Sequence, residues 1–199
     1  MKISTAAMPR KFKAFARHSR KPWNPVPLSY NRAMRPWKEH KLLEPGARVA
    51  EFRLPLLDRS PNQGDLALSH MVANGPAVLA FFKISCPVCQ LTFPYLERIH
   101  SSSRLPVFGI SQNNAADTRD FTRRFGITFP ILLDSRDSGY PVSNAFGISH
   151  VPTLFVAGPG GVIERVTEGW LKSEIGRLGE MAGVDPFEAG GQVPESKAG

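Results

Sequence analysis

Cysteine is scarce in this chain. Two thiols occur in 199 residues, Cys86 and Cys89, too few for a small fold stapled by several disulfides. A four-ligand zinc site commonly draws on two close ligand pairs. His18, His40, His70, His100 and His150 are scattered and supply no second pair, so no metal and no bound cofactor are expected. No run of 18 apolar residues exists, which excludes a membrane-spanning helix of the usual length. Acidic residues are missing from the first 38 positions. That region also lacks an apolar stretch of seven or more residues, so it does not read as a secretory signal. The expectation that follows is a cytoplasmic protein, in which a C-x-x-C pair is catalytic rather than structural. No internal repeat is visible.

What is present fits one soluble domain of ordinary size, 42% hydrophobic and 21% charged. The net charge of +8 is unevenly placed. Residues 1–45 carry eleven Lys and Arg against two Glu, a net +9, whereas the remainder is close to neutral at −1. The basic arm contains five prolines between Pro22 and Pro45, which argues against a packed unit there. Residues 1–45 are therefore expected to be a disordered basic extension. A targeting segment, or a contact with an anionic surface, is the alternative. Residues 46–183 are expected to form the domain, and 184–199 a flexible tail.

Within the domain, "VAEFRLPLLD" suggests a strand with Pro55 at an edge or bulge. "LALSHMVANGP" suggests a short helix closed near Asn74-Gly75. "AVLAFFKI", residues 77–84, is a continuous apolar run of the kind found in strands buried on both faces. The helical pattern after it places Leu91, Tyr95, Leu96 and Ile99 on one face and contains Pro94. "RLPVFGISQ" reads as a strand, "AADTRDFTRRFG" as a helix stopped at Gly126, and "ITFPILLD" as a short strand. "GYPVSNAFGI" reads as a helical turn capped near Ser143 or Asn144 and ending at Gly147. "VPTLFVAGPGGVIERVTEG" is a hairpin around "GPGG", and "LKSEIGRLGEMAGV" a final helix. Strands alternating with helices, closed by an antiparallel hairpin, make an α/β fold with a mixed central sheet.

The two thiols sit where the buried run meets a helix, in "KISCPVCQ". Cys86 falls at the N-cap and Pro87 at the first helical position, where proline is favoured. Free N–H groups and the helix dipole at that end stabilise a thiolate, which is the nucleophilic form of cysteine. With Cys89 a turn away, attack of Cys86 on a disulfide can be followed by attack of Cys89 on Cys86. A disulfide closing so short a loop would constrain the unfolded chain little, so a purely structural bridge is the weaker reading.

The strand "AVLAFFKI", the motif "SCPVC", the proline at 94 and "VPTLF" at 151–155 together resemble the thioredoxin superfamily. They are most similar to its redoxin branch, which groups TlpA-like thiol–disulfide reductases with the AhpC/TSA peroxiredoxins. The resemblance covers about residues 46–183 and implies a three-layer α/β/α sandwich. It also implies a cis Val151–Pro152 bond beside the redox pair, and roles in binding or orienting substrate for Pro87, Val88, Val151 and Pro152. Three positions depart from family patterns. Ser85 stands where thioredoxins have tryptophan, Ala80 where many have a buried acid that relays protons, and Thr92 where many TlpA-like proteins have glutamate. Lys83, three residues before Cys86, is a candidate electrostatic partner of the thiolate or a solvated strand-end lysine. His150 is a candidate neighbour of Cys86 or a plain loop histidine.

The function expected is thiol–disulfide exchange with a protein or small-molecule disulfide, recycled by a reductase or thiol pool, without specific nucleic-acid binding. Peroxide reduction, with Cys86 peroxidatic and Cys89 resolving, is the alternative. The P-x-x-x-T-x-x-C pattern of peroxiredoxins is absent in both registers: Leu79 and Lys83 precede Cys86, and Phe82 and Cys86 precede Cys89. A third reading is a non-catalytic thioredoxin-fold binding protein tethered by its basic arm. Residues Gln112 to Thr118 are candidates for shaping the binding surface.

Overall fold

A computed structural model describes residues 41–58, 64–102, 104–187 and 192–199. The basic extension expected over residues 1–45 lies outside them except for its last five positions. Those five already engage the domain: the Leu43 N–H donates to the Phe146 carbonyl at 3.1 Å, and just beyond them the Gly46 N–H donates to that of Ile163 at 2.8 Å.

The apolar run forms β3, Ala77–Phe82, and every residue of it is buried. It pairs in parallel with β4, Val107–Ser111, and antiparallel with β6, Thr153–Gly158. β5, Ile131–Leu133, adds parallel to β4, and β7, Val162–Glu168, adds antiparallel to β6. The mixed sheet therefore runs β5-β4-β3-β6-β7. β1, Arg53–Leu54, and β2, Leu66–Ala67, form a separate small ladder.

Alternation along β3 feeds two cores. Val78, Ala80 and Phe82 point to one side, against Phe93 and Leu96 of α2 (Pro87–Ser101), Phe121 of α3 (Ala115–Phe125), and Ile175 and Leu178 of α5 (Lys172–Ala182). Ala77, Leu79 and Phe81 point to the other, against Leu68 and Met71 of α1 (Leu68–Met71) and Val142 and Phe146 of α4 (Pro141–Phe146). Helices on both faces of one sheet make the expected three-layer α/β/α sandwich. Both sheet edges are covered by the chain before β2. Arg48 bridges Val162 at the β7 edge and Leu56 bridges Leu132 at the β5 edge, so neither presents a long open ladder. Pro55, which has no N–H to offer, only accepts there, from the Leu133 N–H at 2.9 Å.

Several local expectations shift. The helix expected over 66–76 is a single turn, preceded by β2. The buried stripe of α2 is Cys89, Phe93, Leu96 and Ile99, and Leu91 and Tyr95 are only half-buried beside it. α4 starts at Pro141, and its first turn is capped by Asp134 of the preceding loop rather than by Ser143 or Asn144. Asp134 Oδ2 accepts from the Ser143 N–H at 2.6 Å and Oδ1 from the Val142 N–H at 3.3 Å. His100 Nδ1 accepts from the Val107 N–H at 3.1 Å, and burial lowers its pKa, so the fold holds the neutral ring.

The described part of the expected flexible tail packs back onto the domain. β8, Trp170–Leu171, pairs with β9, Ser196–Lys197. Trp170 Nε1 donates to the Pro194 carbonyl at 2.7 Å, and Phe187 packs tilted against Tyr95 with ring centroids 5.7 Å apart. The reason is aromatic burial: Trp170 is fully enclosed, and its N–H needs a partner once water is excluded.

Gly147 closes α4 at φ +72°, and a Cβ there would lie 2.3 Å from the Lys41 carbonyl oxygen. Gly147→Ala meets both the left-handed penalty and a backbone clash, so it is expected to cost about 1–3 kcal/mol. At roughly 2–4 °C per kcal/mol for a domain of this size, calorimetry should show Tm falling by several degrees. An unchanged Tm would mean that residues 41–43 do not pack there.

Candidate active site

β3 ends at Phe82, and three residues later the chain enters α2 with Cys86 as N-cap, at φ −82° and ψ 115°. Proline at the first helical position suits that entry, because the N–H it lacks would have no helical partner. The Cys89 N–H donates to Cys86 Sγ at 3.4 Å, the bond by which an N-cap side chain satisfies a free donor of the first turn. Cys86 Sγ also contacts the Val151 carbonyl at 3.1 Å, the thiol donating. Residue 151 begins the expected motif, and the Val151–Pro152 bond is cis.

The two thiols differ in exposure. Cys86 is half-buried and Cys89 is fully buried, and both are free. Burial pushes the Cys89 pKa far up, and the adjacent Cys86 sulfur adds to the rise, while a backbone hydrogen bond involving Lys83 opposes it. Cys89 is thus held as a protonated thiol beneath an accessible partner.

The remaining expected residues divide. Pro87 is exposed and Val88 half-buried beside the cysteines, Val151 contacts Cys86, and Pro152 is buried next to it. Lys83 is exposed, and its backbone carbonyl accepts from the Cys86 N–H at 3.2 Å. His150 faces elsewhere: its Nδ1 lies 3.0 Å from Ser149 Oγ and 3.6 Å from Glu168 Oε1. Ala80 is buried under α2, and the Thr92 hydroxyl donates to the Val88 carbonyl at 2.7 Å, so neither position offers an acid to Cys89. Among the described residues no group of three His, Cys, Asp or Glu side chains is placed to hold a metal.

A cleft of about 210 Å³ lies beside the loop before Cys86, between Ile84 and Gln90 on one side and Asp117, Phe121 and Arg124 on the other, and neither cysteine lines it. A larger cavity of about 390 Å³, at Glu51, Ser69 and Gly160, is lined by none of the site residues. For disulfide exchange the geometry matters more than the size, because the reacting sulfur must meet another sulfur at the surface. Asn113, inside the stretch Gln112 to Thr118 expected to shape the binding surface, bonds the loop before Cys86, as does Gln90, which sequence reasoning did not single out; the signal for both pairings lay only between distant positions.

The AhpC/TSA family model matches residues 45–166. The chain belongs to the AhpC/TSA family. Thiol-disulfide oxidoreductase ResA of Geobacillus thermodenitrificans is 28% identical over 100 residues, 48% of this chain and 56% of that protein. The chain thus spans little more than half the length of that relative. In fold it is similar to thiol:disulfide interchange protein DsbE from Chlorobium tepidum, with TM-score 0.59 and 19% identity over 71% of this chain and 96% of that one. It is also similar to a secreted Mycobacterium tuberculosis disulfide oxidoreductase homologous to E. coli DsbE, with TM-score 0.51 and 19% identity over 65% and 95% of the two chains.

The cytoplasmic expectation is not upheld: that Mycobacterium tuberculosis protein, of the same fold, is a secreted one. A C-x-x-C pair exchanges disulfides on either side of a membrane, in the direction its partners' potentials dictate. Its presence therefore carries no information about compartment. No helix among the described residues is long and apolar enough to cross a membrane.

The buried Cys89 thiol has a consequence for stability. In the unfolded chain it ionises near about pH 8.5, whereas the folded, reduced protein retains the proton well above that. Its contribution is complete below about pH 8.5 and declines as pH rises beyond it, by up to about 1.4 kcal/mol per pH unit. Urea unfolding of the reduced protein between pH 8 and 10 should therefore show a steeper loss for wild type than for Cys89→Ala. Parallel curves would mean that Cys89 is solvated.

Proposed function

We propose that this chain is a thiol–disulfide oxidoreductase whose reacting pair is Cys86 and Cys89. One observation carries the reading: the accessible Cys86 sulfur sits at the start of α2, held between the Cys89 N–H and the Val151 carbonyl. The Cys86 thiolate attacks one sulfur of a substrate disulfide. A Cys86–substrate disulfide forms, the substrate S–S bond breaks, and the leaving sulfur takes up a proton. Cys89 then gives up its proton and attacks Cys86 Sγ, forming the Cys86–Cys89 disulfide and expelling the second substrate thiolate. Two electrons pass from the dithiol to the substrate, and an external dithiol or thiol pool restores them. Run backward, the same steps oxidise a substrate dithiol.

The second step is the demanding one, because burial opposes loss of the Cys89 proton and Ala80 stands where the resemblance to thioredoxins implies a proton-relaying acid. The substrate is a disulfide-bearing protein or small molecule. Pro87, Val88 and Val151 surround the sulfur at the surface with Pro152 buried beneath them, whereas the His150 side chain pairs with Ser149 and Glu168 instead.

Peroxide reduction is the second reading, favoured by membership of the AhpC/TSA family. Against it stands Lys83 where the peroxidase pattern requires threonine. Insulin-disulfide and hydrogen peroxide reduction, measured side by side, separate the two. Disulfide turnover should dominate. Cys86→Ser should abolish it, and Cys89→Ser should leave a trapped mixed disulfide on Cys86. Faster peroxide turnover, or a Cys86→Ser variant that keeps disulfide turnover, would overturn the reading.

A further inference from the structure

Only Lys83, Ile84 and Ser85 separate the end of β3 from Cys86. In so short a loop, the peptide groups of the middle residue set the direction in which the chain enters α2. Ile84 is half-buried, so water alone could satisfy its backbone. Two side chains from different elements do so instead. The Ile84 N–H donates to Asn113 Oδ1 at 3.0 Å, and the Ile84 carbonyl accepts from Gln90 Nε2 at 2.9 Å.

We infer that Asn113 and Gln90 are positioning residues of the exchange reaction, clamping the Ile84 backbone from both sides and so fixing the Cys86 sulfur relative to Cys89. The inference rests on the thiol–disulfide reading above. Neither side chain bonds a sulfur; each acts through the loop.

Both ends of the clamp are anchored. Asn113 follows β4, the parallel neighbour of β3, and its own N–H donates to Ser111 Oγ at 3.1 Å. That hydroxyl is buried and shares a 2.8 Å hydrogen bond with Thr118 Oγ1 of α3. The Gln112 N–H donates to the Phe82 carbonyl at 3.1 Å, tying the two strand ends together. On the other side, Gln90 closes the first turn of α2, its N–H donating to the Cys86 carbonyl at 3.1 Å, while its side chain reaches back to Ile84. Cys86 completes the ring through its N–H to the Lys83 carbonyl. The Cys86 backbone therefore cannot shift along the α2 axis without straining the bond from Ile84 to Asn113 or to Gln90.

Ring closure between the two sulfurs needs specific geometry, and a misplacement of about 1 Å costs on the order of a hundredfold in rate. A slack loop lowers the effective concentration of Cys89 at Cys86. Closure becomes less favourable, and the couple becomes more oxidising by about 30 mV for each tenfold fall in the closure constant.

The test measures the redox potential of the folded protein against glutathione, together with the rate of insulin reduction. Asn113→Ala and Gln90→Met should each slow exchange about tenfold or more and raise the potential by about 30 mV or more. Asn113→Asp keeps the accepting oxygen and should recover most of the rate. Gln90→Met preserves size and helix propensity at a half-buried position, so it reads out even if Asn113→Ala does not fold. A general loss of stability would leave the potential of the folded fraction unmoved. Folded variants with the wild-type potential and rate would overturn the clamp. A wild-type protein without any exchange would instead overturn the functional reading beneath it.

Discussion

β3 is buried on both faces from Ala77 to Phe82, and Lys83 is the first residue beyond it that reaches solvent. That boundary governs the chemistry. A strand enclosed by two cores cannot slide by one residue without exchanging the side chains that face each core. The end of β3 is thereby fixed, and so is the start of α2 three residues on. Cys86 then falls at the one helical position whose side chain meets free N–H groups and remains open to a partner. Cys89, three residues later, turns inward with Phe93, Leu96 and Ile99.

The exposed and the buried thiol thus come from a single helical register. The register also explains their unequal chemistry. The outer sulfur is positioned to be attacked or to attack, and the inner one is kept protonated by its surroundings. With Ala80 and Thr92 supplying no acid beside it, proton removal from Cys89 falls to water or to the departing substrate thiolate.

Much of this was readable in the sequence, because it rests on local signals. "AVLAFFKI" announced a strand with no solvent face, Pro87 marked a helix start, and Gly126 and Gly147 marked helix ends at positive φ. What escaped was set by contacts between distant residues. The Asp134 carboxylate caps a helix that begins seven positions later, Trp170 draws the C-terminal segment back over the domain, and Asn113 holds Ile84 across 29 residues. None of these pairings has a period or a fixed spacing. Compartment escaped for a different reason: the chemistry of a dithiol is indifferent to it.

The most direct measurement of the central claim is the site and rate of alkylation. The reduced protein is treated with iodoacetamide at neutral pH and the labelled cysteines are mapped by mass spectrometry over time. The account predicts that Cys86 is modified first and that Cys89 stays unlabelled until the protein is unfolded. Equal labelling of the two thiols in the folded protein, or earlier labelling of Cys89, would contradict it.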